Sequence, residues 1–174
     1  MSLKQPAAVA FVYFDYEIRA SQTALCVLSS VLRQLVTHLE SIPSFIGESI
    51  KKHETPSIDE ITRLLQLLVR TIGPVYIVVD ALDECDALQR KCVLGTLQKL
   101  AEVESVRLFA TARPHIEDIK TLFDPYPQLE IKADDGDLHA YMYHNIGLRG
   151  AYDIVNDEFA KFIVETLTER AHGK

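Results

Sequence analysis

The residues best suited to chemistry fall in one short run, Asp80-Ala-Leu-Asp83-Glu84, directly behind the apolar segment Val75-Tyr-Ile-Val-Val79. An apolar, β-branched stretch ending in a carboxylate is a rigid and dry support for Asp80, which can hold hydrated Mg²⁺ beside bound phosphates. Ala81 is small and leaves room close to such phosphates. Asp83 and Glu84 come three and four residues after Asp80, within reach of the same space, and Glu84 in the first place can orient or deprotonate an attacking water. Strands that end in Asp are common, and receiver domains and haloacid-dehalogenase-type phosphatases also use one. The dehalogenase pattern wants a second Asp two positions on, where this sequence has Leu82.

A second run, Phe109-Ala-Thr111-Ala-Arg113-Pro114, supplies a hydroxyl and a cation at the end of another apolar segment. An Arg just past a strand end, held extended by the following Pro, can reach a γ-phosphate and report its presence. The plainer alternative is a surface Arg paired with a carboxylate such as Glu117. The six histidines show no His-x-x-x-His spacing, no Gly-x-Ser-x-Gly elbow is present, and Cys26, Cys85 and Cys92 form no Cys-x-x-Cys pair.

These residues need strands to position them. Ala8–Tyr13 is almost wholly apolar and reads as a strand buried on both faces of a parallel sheet. Ser21 is expected to cap a helix carrying Leu25, Leu28, Leu32, Leu35, Val36 and Leu39, and residues 43–56 read mainly as connection. Ser57 with Glu60 signals a helix start before Ile61, Leu64, Leu65 and Leu68, stopped by Gly73-Pro74. Val75–Val79 is the clearest strand. Asp86 with Gln89 opens another helix, Val106–Thr111 is a third strand, and 115–123 a short helix. Leu129–Ile131 is expected as a short fourth strand, followed by helices near 135–146 and, capped by Asn156, to about Arg170. Strand and helix alternate through the first 130 residues, which implies parallel strands with helices on both faces, and the sheet order expected for this class puts the Val106 strand beside the Asp80 strand.

With 174 residues, 48% hydrophobic and 25% charged, the chain can bury one real core. A net charge of −7 argues against a nucleic-acid surface, which needs clustered Lys and Arg. No apolar run approaches the length that spans a bilayer, and an odd cysteine number suits reduced thiols; a soluble, cytoplasmic protein is expected.

The strings VYIVVDALDEC and VRLFATARPHIEDI resemble the Walker B and sensor-1 segments of NACHT-type STAND ATPases. The likeness is greatest to fungal nephrocystin-like NACHT proteins, often joined to ankyrin or WD repeats and including vegetative-incompatibility proteins. Upstream VAFVYFDYEIRASQT and downstream LEIKADDGDLHAYM also resemble that family, so the likeness covers nearly the whole chain. It implies Mg²⁺ with ATP or GTP, and a switch in which nucleotide state controls oligomerisation and signalling. Carried over by position, Asp80 holds the metal through water, Asp83 and Glu84 are the catalytic acidic pair, and Arg113, with Thr111 on the same strand end, reads the nucleotide.

The family's Gly-x-x-x-x-Gly-Lys-Ser/Thr loop is expected before Ala8, and none of the seven glycines has that spacing. Without it there is no nest of backbone N–H groups and no Lys for the phosphates. The expectation is therefore a P-loop NTPase-like three-layer α/β fold lacking the Walker A strand and loop. Residues 1–132 would form the partial core and 133–174 a helical extension of the same domain. The resemblance implies hydrolysis, and the missing loop implies weak or lost nucleotide binding and no competent turnover by this chain alone. The alternative is an interaction fragment that self-associates or docks onto full-length relatives through an exposed sheet edge.

Overall fold

A computed structural model describes residues 7–51, 55–114, 116–131, 134–148 and 157–171. It divides into two compact units, Met1–Pro127 and Gln128–Lys174. The first unit is built on three parallel strands in the order β1 (Ala8–Tyr13), β2 (Val75–Asp80) and β3 (Val106–Ala110). The Val106 strand thus lies beside the Asp80 strand, as expected. The class is mixed α/β with a parallel sheet of the P-loop-like type.

One face of the sheet is packed under α1 (Ala24–Val36), α3 (Ile58–Thr71) and α4 (Ala87–Ala101). Each helix forms because an apolar stripe recurs at helical spacing behind a side-chain cap. Thr23 accepts from the Cys26 N–H at 3.2 Å and starts α1, whose Ala24, Val27, Leu28, Val31, Leu32 and Leu35 are buried. Ser21, the expected cap, instead donates to the Ile18 carbonyl and closes the 3-10 turn Tyr16–Ile18. Ser57 caps α3 through the Glu60 N–H, and Asp86 caps α4 through the Leu88 and Gln89 N–H groups. Thr62 of α3 and Thr96 of α4 pair their hydroxyls at 2.8 Å in the buried seam between the helices. A buried polar group is tolerated when it is hydrogen-bonded, as both are here.

Four expectations need correction. Residues 43–56 are not mainly connection, because α2 (Ser44–Lys51) forms there, anchored by the single buried Ile46. One buried residue leaves no periodicity to read. Leu129–Ile131 is not a strand: these residues have no regular structure and Leu129 and Ile131 are exposed, for a strand needs a ladder partner and none is present among the described residues. In β1, Ala8 and Ala10 are buried while Val9, Phe11 and Tyr13 are exposed, so the strand is covered on one face only. The cap of α1 is the fourth. Asn156 lies outside the described residues, as does His115 at the expected start of α5 (Glu117–Phe123).

The bare face is ordered by the strand register. Val9, Tyr76 and Arg107 make one row across it, Phe11, Val78 and Phe109 the next, and Tyr13 and Asp80 the last. The outer edge of β1 is closed by side chains that stand in for a neighbouring strand. Gln34 of α1 accepts from the Phe11 N–H at 3.0 Å and donates to the Phe11 carbonyl at 2.9 Å. His38 Nε2 lies 3.3 Å from the Val9 nitrogen and 3.2 Å from its oxygen, and Gln22 bridges the Tyr13 carbonyl and the Asp15 N–H.

The second unit is a helix pair, α6 (Asp135–Leu148) and α7 (Asp157–Ala171), packed on one another. The Asp134 carboxylate accepts from the Asp137 N–H at the start of α6. Ala160, Val164 and Thr168 form the buried stripe of α7, and Phe159 and Phe162 stack on its exposed side.

Candidate functional site at the strand ends

The carboxyl ends of β1, β2 and β3 bring the predicted residues to one mouth. Asp80 ends β2 beside Tyr13 of β1, and its carboxylate is exposed. Thr111, just past β3, ties the junction together. Its hydroxyl donates to Asp80 Oδ1 and accepts from the Ala81 N–H at 2.9 Å. Its N–H donates to the Val79 carbonyl, and its own carbonyl accepts from Leu82.

Ala81 takes the left-handed conformation, φ 53° and ψ 43°, and no other described non-glycine residue has positive φ. That reversal turns the chain into the 3-10 turn Leu82–Glu84, pinned by the fully buried Leu82. Without the reversal, the two following acids would be carried past the mouth.

Those acids then diverge. Asp83, nearly buried, faces the β3 side, accepting from the Arg113 N–H at 3.2 Å and lying 3.4 Å from Arg113 Nε. Arg113 therefore pairs with Asp83 rather than with Glu117, while most of its guanidinium stays in solvent. Glu84 faces the β1 side and accepts from the Tyr16 N–H at 3.0 Å. Asp80, Asp83, Glu84, Thr111 and Arg113 thus share one mouth but belong to three distinct pairings.

The local field is negative. The Tyr13 phenol is held above its ordinary value by Asp15 foremost, then by partial desolvation, Glu84, Asp80 and Glu17. Burial pushes the Cys85 thiol up to about 11 against the opposing pull of Arg90, so this cysteine is a packed residue and not a nucleophile. Among the described residues no group of three or more His, Cys, Asp or Glu is placed to hold a metal. Mg²⁺ asks less of a protein, taking one or two carboxylates and filling its shell with water and phosphate oxygens. The exposed Asp80 carboxylate, oriented by Thr111, fits that role.

Arg90 was not among the expected site residues. It is buried on α4, donating through Nε to Asp118 at 2.9 Å and through Nη1 to the carbonyls of Cys85 at 2.8 Å and Asp83 at 3.4 Å. It locks the acid-bearing turn to α4 and α5. An Arg inside the apolar stripe of Val93, Leu94 and Leu97 was the available signal. Two surface grooves flank the sheet: one of about 480 Å³ between β1 and α1, running from Arg33 to Tyr13 and Gln22 beside the mouth, and one of about 710 Å³ at the opposite strand ends with Arg70, Tyr76 and Arg107.

Fold and mouth together define an α/β protein with an acidic cluster and an Asp83–Arg113 ion pair at the carboxyl ends of a parallel sheet. Residues 2–113 match the family model for the N-terminal region of nephrocystin 3, and the chain belongs to that nephrocystin-3 N-terminal family. No curated protein and no solved structure matches the chain. No described helix is long and apolar enough to cross a membrane.

Proposed function

We propose that the first unit is the Mg²⁺–nucleotide half-site of a NACHT-type STAND switch. The supporting observation is the convergence of Asp80, Thr111 and the Asp83–Arg113 pair at adjacent strand ends, where ligands of open α/β sheets bind. Asp80 would hold Mg²⁺ through water, and Mg²⁺ when bound supplies charge neutralisation for the β- and γ-phosphates of ATP or GTP. Thr111 fixes the Asp80 carboxylate. Arg113 exchanges Asp83 for a phosphate oxygen, a trade its exposure permits and bidentate chemistry favours. Glu84, anchored by the Tyr16 N–H through one oxygen, is the group that orients a water.

The sequence carries no glycine-rich loop ending in Lys-Ser or Lys-Thr, so binding is weak and turnover by this chain negligible. Calorimetric titration with Mg²⁺-ATP and Mg²⁺-GTP tests the reading. Weak saturable heat that disappears in Asp80→Ala is expected; equal heat in both proteins, or none in the folded wild type, removes it. The outer edge of β3, which pairs with no further strand among the described residues, and the exposed side chains of the sheet favour a second reading, an interaction module.

A further inference from the structure

Asp83 holds Arg113 at two points. Its Oδ1 accepts from the Arg113 main-chain N–H at 3.2 Å, and its Oδ2 lies 3.4 Å from Nε. The two partners are unlike: the Asp83 side chain is 9% exposed and that of Arg113 is 69% exposed. The carboxylate is also fixed in place. Its turn is set by the left-handed Ala81 and the buried Leu82, and the Asp83 carbonyl accepts from Arg90 Nη1, while Arg90 is itself tied to Asp118 of α5. Motion within the pair therefore belongs to the guanidinium.

We propose that Asp83 is a built-in counter-ion that occupies Arg113 until a phosphate displaces it, an autoinhibitory contact at the mouth. This rests on the nucleotide reading of the mouth and goes past it by giving Asp83 an inhibitory role in place of a chemical one. Both Asp83 oxygens are turned to Arg113 and little of the side chain meets water, a poor setting for holding a hydrated metal or activating a water. Asp80 and Glu84 keep those tasks. Two costs attach to the exchange. The guanidinium gives up a carboxylate it already holds, and the nearly buried carboxylate is left with one main-chain N–H as compensation. Both oppose binding, so the pair lowers the affinity of the mouth for phosphate. An aiming role, in which a carboxylate at Nε fixes the guanidinium and leaves its Nη groups to the ligand, asks for a short and aligned contact. The 3.4 Å distance and the exposed guanidinium do not supply one.

Calorimetry of the full chain with Mg²⁺-ATP tests this, with the fold of each variant checked by circular dichroism. Asp83→Asn keeps an acceptor for the Arg113 N–H and removes the charge. It should bind roughly fivefold more tightly than wild type, the worth of one half-exposed ion pair. Binding seen in Asp83→Asn alone counts as the same gain. Glu17→Gln removes an equal charge from the field around Tyr13 and should change affinity by less than about twofold. In an Arg113→Gln background, Asp83→Asn should bring no gain, because the group it frees is gone. If Asp83→Asn does not fold, Asp83→Ser carries the same comparison. Unchanged or weaker binding in Asp83→Asn overturns the proposal, the weaker case making Asp83 an aiming group. So does a gain that survives the loss of Arg113, which is a field effect. Where such a failure accompanies wild-type binding that Asp80→Ala abolishes, the nucleotide reading stands and only this inference falls. Absence of binding in every folded variant removes both.

Discussion

Replacing Thr111 with Val isolates the junction that gives the mouth its shape. The substitution keeps the β-branched shape and the two main-chain bonds to Val79 and Leu82, and removes only the hydroxyl. Two hydrogen bonds are lost, with unequal consequences. Asp80 is exposed, so water replaces the hydroxyl there at little cost. The Ala81 N–H is partly buried in a left-handed turn and loses its acceptor, and an unsatisfied donor of that kind costs about 1–3 kcal/mol. The expected destabilisation is therefore about 1.5–2 kcal/mol. For a chain of this length that lowers Tm by roughly 4–6 °C. Urea unfolding read by circular dichroism gives the free energy directly, with the slope unchanged if only the native state is affected. Thr111→Ser retains the hydroxyl and should stay within about 0.5–1 kcal/mol of wild type, the cost of one methyl group. If Thr111→Val unfolds within about 0.5 kcal/mol of wild type, the hydroxyl does not support the turn and the reasoning about the mouth fails.

Ala81→Gly removes the Cβ from a left-handed position and should stabilise by about 0.5–1 kcal/mol after the added freedom of the unfolded chain is counted, seen as a higher urea midpoint. Arg90→Met should cost about 2–3 kcal/mol, mostly from the stranded carbonyls of Asp83 and Cys85, since the partly exposed Asp118 keeps its water; unfolding titrations will show it. The Cys85 thiol is raised from 9.0 to about 11, so the folded state holds that proton more tightly than the unfolded one. Its contribution is present below pH 9 and is lost as pH rises toward about 11, a loss that Cys85→Ala should not show in alkaline stability curves. In native alkylation followed by mass spectrometry, Cys26 and Cys92 should react first and Cys85 only after unfolding.

Elements with a strong, sustained pattern were legible in the sequence. Val75–Asp80 is β-branched and bounded, and α3 and α4 carry both a cap and a long apolar stripe. Where the signal was a single residue it misled. Ser21 and Thr23 are both competent caps, and only the 3-10 turn that consumes the Ser21 hydroxyl decides between them. In β1 an unbroken apolar run reads as burial on both faces, whereas small alanines point in and large side chains point out. Leu129 and Ile131 are apolar enough for a strand, but strand formation depends on a partner that local sequence does not reveal. At the mouth, residue types were readable and pairings were not. The divergence of Asp83 and Glu84 follows from the positive φ of Ala81, a conformation an alanine does not announce.

The side-chain seal along β1 sets a limit on any assembly through strand pairing. A growing fibril needs each molecule to offer two reactive edges, one to receive a neighbour and one to pass the ladder on. Gln22, Gln34 and His38 occupy the hydrogen-bonding groups of one of them. A molecule so built is monofunctional in the polymer chemist's sense: it can terminate a sheet, but it cannot propagate one.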